Sequence, residues 1–99
     1  SDIVLKQAKK VEGIPLSFTN VLKIGSTGDA VKTIQQQLNT ISNNYPLIKK
    51  VVVDGVYGAS TAEAVRTFQQ IFDLPETGEV NFPTWYSISN IFVAISKLA

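Results

Sequence analysis

Three stretches of the chain carry apolar residues at helical intervals. Val31, Ile34, Leu38 and Ile41 fall three, four and three apart, which is one stripe down a helix. Val65, Phe68, Ile71 and Phe72 form a second such face, and Trp85, Ile88, Phe92 and Ile95 repeat the three–four–three spacing in a third. Asn43-Asn44-Tyr45-Pro46 ends the first helix and Leu74-Pro75 the second, because the residue before a proline leaves the helical region. Ser26 with Asp29, and Ser60 with Glu63, have capping-box spacing at the first two helix starts. Asn81 is placed to cap the third, with Pro83 tolerated in its first turn. Val51-Val52-Val53 before Asp54-Gly55 reads as an extended approach to a tight turn, with at most a minimal β pairing near Val51–Tyr57. Three amphipathic helices can bury one another, so the expected fold is all-α, a compact three-helix bundle.

Residues 1–20 have a different pattern. Ile3, Val4, Ala8 and Val11 would line a short helix that Gly13 and Pro15 then break. This reads as an N-terminal arm or linker, leaving 21–99 as the domain.

A turn-into-helix unit occurs twice. Asp54-Gly55 leads to Gly58, Thr61 and Val65; Thr77-Gly78 leads to Asn81, Thr84 and Ile88 at the same spacing. Gly58 and Asn81 match, and both residue types tolerate left-handed backbone angles. The two bends are expected to leave a shallow polar trough between them, bordered by the start of the third helix.

Composition narrows the function. The net charge of +1 comes from scattered Lys and Arg, without the basic stripe that nucleic-acid binding needs. The longest apolar run, Ile91–Ile95, is far short of the roughly twenty residues of a membrane span. No basic-then-apolar leader opens the chain. Cysteine and histidine are both absent. Disulfides, thiolate nucleophiles, the usual zinc ligands and the commonest general base go with them. The carboxylates Asp54, Glu63, Asp73, Glu76 and Glu79 are spaced as turn and cap residues, not as a pair facing across a cleft. The expectation is a domain with no catalytic residues, no metal and no cofactor, acting through its surface.

Leu22-Lys23-Ile24-Gly25-Ser26-Thr27-Gly28-Asp29-Ala30-Val31, the run on to Leu38, Asp54–Gln69 and the fainter Thr77–Trp85 segment together resemble the peptidoglycan-binding domain of bacterial cell-wall hydrolases and of spore and envelope proteins. The resemblance covers about two-thirds of the chain, with Tyr57 where the family usually has Phe. It implies a three-helix module that binds the wall polymer, through its glycan strand or its stem peptide, without cleaving it. It also implies an extracellular place in the wall or spore envelope, and a neighbouring hydrolase or tandem copies in a longer chain. The rival expectation keeps the fold as a protein-interaction module, because Ile91, Phe92, Val93 and Ile95 exceed what one stripe needs.

The candidate ligand contacts are Asp54, Tyr57, Thr61, Gln69, Asn81 and Tyr86. Asp54 either turns its carboxylate onto nearby backbone N–H groups or accepts from ligand hydroxyls. Thr61, like Thr84, is expected to bond the turn before it. Gln69 either reads stem-peptide carbonyls or bridges to the loop before the second helix. Tyr57 and Tyr86 each offer a flat face with a hydroxyl, whereas the helical spacing of Trp85 favours the core. Gln35-Gln36-Gln37 reads as a solvated outer face. The Gly25–Gly28 loop reads more readily as a tight turn than as an anion cradle.

Overall fold

A computed structural model describes residues 21–98; the proposed N-terminal arm lies outside them. Among the described residues there are three helices: α1 (Asp29–Ser42), α2 (Ala59–Ile71) and α3 (Phe82–Leu98). The all-α three-helix bundle expected from the apolar stripes is the architecture found. Val31, Ile34, Leu38 and Ile41 are all fully buried, as are Val65, Phe68 and Ile88. Ile71, Phe72, Trp85, Phe92 and Ile95 pack half-buried against this core. Phe72 is wedged between the rings of Phe68 and Tyr45, with centroids 4.6 and 5.1 Å away.

The helix starts differ from the capping boxes expected. α1 and α2 are capped by Gly28 and Gly58 without a side-chain bond. Ser26 lies two residues too early, because pairing of Thr27 with Val56 keeps the chain extended up to Gly28. Its Oγ instead accepts from Lys23 N, 3.0 Å away. Ser60 lies inside the first turn of α2. Asn81 does cap α3, its Oδ1 accepting from Thr84 N at 3.2 Å. The left-handed positions of the repeat are Gly55 (φ 74°) and Gly78 (φ 76°), not Gly58 (φ −105°) or Asn81.

The end of α2 follows a Schellman pattern. Leu74 N donates to Gln69 O and Asp73 N to Gln70 O, with Asp73 at φ 59°.

The segments leading into the helices are laced together. Leu22 exchanges both backbone bonds with Val80, at 3.1 and 2.8 Å. Gly25 N donates to Tyr57 O, Tyr57 N to Ser26 O, and Gly28 N to Gly55 O. The pre-α1 segment therefore runs between the two bends and pairs with each. The minimal β pairing joins Thr27 to Val56, while Val51–Val53 takes no part in it.

Candidate functional site

Each bend is shaped by one buried glutamine. Gln35, on α1 and 1% exposed, accepts at Oε1 from Asp54 N (3.0 Å) and Gly55 N (2.9 Å). Its Nε2 donates toward Val56 O, Asp54 Oδ1 and Thr61 Oγ1 at 3.0–3.1 Å. Gln69, on α2 and 0% exposed, treats the second bend the same way. Its Oε1 accepts from Gly78 N (2.8 Å), and Nε2 faces Glu79 O, Thr77 Oγ1 and Thr84 Oγ1 at 3.0–3.1 Å. An amide is suited to this because it is donor and acceptor at once, so one side chain satisfies both senses of a turn's backbone. Gln35 was expected on the outer face. The signal for it lies in Val31-Lys32-Thr33-Ile34-Gln35 and Val65-Arg66-Thr67-Phe68-Gln69, a second repeat with the glutamine in the same place.

The six residues expected to contact ligand divide by burial. Thr61 and Gln69 are enclosed and spend their polar atoms on the bends. Gln69 bridges to the loop before α3, not to the one before α2. Tyr57 is also buried, and its hydroxyl donates to Gly78 O at 2.7 Å. Burial, with the Glu79 carboxylate second, pushes the phenol well above its usual range. These three side chains lie beneath the surface, with Thr61 at the floor of the cleft beside the first bend. Asp54, Asn81 and Tyr86 reach the surface. Asp54 accepts from Val56 N at 2.9 Å in an Asx turn. That bond first, and the one from Gln35 second, hold its carboxyl below the usual range. Asn81 is half-buried and caps α3. Tyr86, 57% exposed, stacks on Phe82 with centroids 5.8 Å apart.

The single trough expected between the bends is not present, because the pre-α1 segment fills that space and Tyr57 spans beneath it. The open space lies to either side. A cleft of about 340 Å³ sits at the first bend, lined by Asp54, Val56, Gly58 and Ser60 among others. It shares Lys50, Val51, Ala59 and Ser60 with a groove of about 680 Å³ that continues along α2 past Glu63 and Thr67 to Gln70. A smaller cleft of about 150 Å³ at the second bend, between Lys23, Arg66 and Glu79, shares no residue with either. The asymmetry follows from the repeat. Ala59-Ser60 opens α2, whereas Phe82-Pro83 occupies the matching positions on α3 and adds bulk there.

Three helices, two glutamine-braced bends and an open groove make up the described module. The model of the family described as putative peptidoglycan binding domain matches residues 27–88. The chain belongs to that family. Similar solved structures agree. The N-terminal domain of SleB is 30% identical, with TM-score 0.63 over 74% of this chain and 93% of that one. A fused Zn-dependent amidase/peptidase/peptidoglycan-binding domain-containing protein of Clostridium acetobutylicum is 38% identical, with TM-score 0.60 over 70% of this chain and 28% of that one. A peptidoglycan-binding protein of Clostridioides difficile, in complex with glutamine hydroxamate, is 28% identical, with TM-score 0.63 over 75% of this chain and 43% of that one. The chain thus spans less than half of the two clostridial proteins. No curated protein matches the chain.

Proposed function

We propose that this domain binds bacterial peptidoglycan without cleaving it and so holds an attached protein at the wall or spore envelope. The observation that carries the reading is the long open groove beside the first bend, in a chain of the peptidoglycan-binding family. Of the candidate contacts, Asp54 borders the smaller cleft that adjoins this groove, and Asn81 and Tyr86 lie at the other bend. Tyr57, Thr61 and Gln69 act by holding the bends in shape.

The non-catalytic reading is supported by the carboxylates beside the groove. A glycosidase needs one of its pair held protonated as general acid. Asp54 is held in the opposite direction, and Glu63 is ion-paired with Arg66 at 3.0 Å. The clostridial amidase/peptidase carries such a domain within a longer, fused protein, and this chain fits a similar place beside a hydrolase or among tandem copies. A shallow groove gives weak binding per domain, and a repetitive polymer compensates by avidity.

The test is co-sedimentation with purified sacculi. The domain should pellet with them and release no muropeptides; a domain that stays in the supernatant at high micromolar concentration ends this reading. One observation favours the rival interaction module: the Phe82–Tyr86 stack and Val93 are exposed on α3. A stable dimer in sedimentation velocity, lost on Tyr86→Ser, would support it.

A further inference from the structure

We infer that the backbone edge of Lys50 and Val52 pairs with an extended peptide, so that the wall component bound in the groove is the stem peptide and not the glycan. This rests on the wall-binding reading above.

The chain from Lys49 to Val53 runs without helix, turn or bend. Asn39 grips its centre: Oδ1 accepts from Val51 N and Nδ2 donates to Val51 O, both at 2.8 Å. One side-chain amide can meet both groups of a residue only where they point the same way, as they do in an extended strand. In such a strand successive residues alternate edges, so the N–H and C=O of Lys50 and Val52 face away from Asn39. Among the described residues, none of these four groups has a protein partner. Val51 is buried beneath them, while Val52 is 74% exposed. Natural sheet edges are covered, or blunted by proline, bulges or charged side chains; here Lys49 and Lys50 supply charge, while the backbone groups of Lys50 and Val52 stay unpaired beside the groove and its adjoining cleft.

The opposite wall of the groove is α2, which presents the small residues Ala59, Ser60 and Ala64. The groove volume of about 680 Å³ lies within the range of about 300–1,000 Å³ typical of ligand-holding clefts. A peptide fits the edge because its own N–H and C=O groups repeat at the strand period of about 6.6 Å per two residues, and sugar hydroxyls do not. Charge agrees. Lys49 and Lys50 lie on the rim with no carboxylate partner among the described residues; Lys50 Nζ donates to Asn43 Oδ1 and Ser42 Oγ. The ionised Asp54 borders the cleft that continues the groove. A stem peptide carries free carboxylates and, on its diamino residue, an ammonium, so the groove offers a counter-charge to each. The second bend has no counterpart, because only Phe72–Glu76 separates α2 from it, against Asn43–Val53 before the first bend.

The test uses the full chain, ¹⁵N-labelled, with a synthetic stem tetrapeptide bearing a free C-terminal carboxylate, and with chitotetraose as the glycan probe. The tetrapeptide should shift the Lys50 and Val52 amides and slow their hydrogen exchange. Val52→Pro removes one of the unpaired N–H groups from an exposed, extended position, so the fold is retained, and it should weaken tetrapeptide binding about fivefold or more. Lys50→Gln should weaken it further at low salt than at high salt. Chitotetraose shifting the groove while the tetrapeptide does not would overturn the inference, as would a folded Val52→Pro that binds the tetrapeptide like the parent. Exchange at Lys50 and Val52 that slows with protein concentration alone would overturn it too, by showing a second copy on the edge. Continued pelleting with sacculi in any of these cases leaves wall binding standing. Loss of pelleting by the parent domain removes the broader reading instead.

Discussion

Replacing Gln35 with Leu keeps most of the volume and removes the amide on which the first bend is built. The consequences differ among its partners. Gly55 and Thr61 are buried, so the Gly55 N–H and the Thr61 hydroxyl are stranded away from water. Asp54 and Val56 are exposed, and water can take over at their backbone groups. A buried polar group left without its partner costs about 1–3 kcal/mol, so two of them put the loss at about 2–6 kcal/mol. A domain of this size has only about 5–15 kcal/mol in total. Urea unfolding can be followed by the fluorescence of Trp85, the single tryptophan, which packs half-buried on the core. With a slope of about 1 kcal/mol/M, the midpoint should fall by about 2 M or more at unchanged slope. Gln36→Leu, one residue along and exposed, should move it by less than about 0.5 kcal/mol. A loss below about 1 kcal/mol for Gln35→Leu, or equal losses for the two variants, would refute the claim that this amide braces the bend.

Tyr57→Phe should lower stability by about 1–2 kcal/mol, since the Gly78 carbonyl loses its 2.7 Å donor; the same urea titration measures it. Gly55→Ala should cost about 1–2 kcal/mol by forcing a side chain to φ 74° with its Cβ 3.2 Å from Gly28 O, a backbone atom that cannot swing away. The lowered Asp54 pKa sets the sign of an acid effect. The Asp54 contribution is present above the unfolded carboxylate value, about pH 4, and is lost as pH falls through the lower folded value. The stability gap between the parent and Asp54→Asn should therefore narrow below about pH 4, and a gap constant across that range in urea midpoints would count against the Asx turn as its source.

Much of the fold was legible because it is local. Helical spacing placed Val31, Ile34, Leu38, Ile41, Val65, Phe68 and Ile88 in the core, and all seven are fully buried. The asparagine and proline signals marked the helix ends, and Asn81 was recognised as a cap. The site was less legible. Gln35 and Gln36 are neighbours with the same side chain, yet one is enclosed and the other exposed. Only the repeated Val-x-Thr-x-Gln pattern separates them in the sequence. The misplaced capping boxes have a related cause. Ser26 and Ser60 have the right local spacing, but the helix starts are set by pairing to a distant bend.

Three helices, their buried faces and the two glycine-led bends can be read from the chain alone, because backbone preference and apolar periodicity act over a few neighbouring residues. Which side of those bends is open depends on contacts made in the folded chain. Leu22–Gly28 threads between them, the Tyr57 hydroxyl reaches Gly78 twenty-one residues on, and Asn39 holds Val51 so that an edge is left facing the groove. Hydrogen bonds across such separations depend on where the packed helices bring the chain, and no local pattern encodes that.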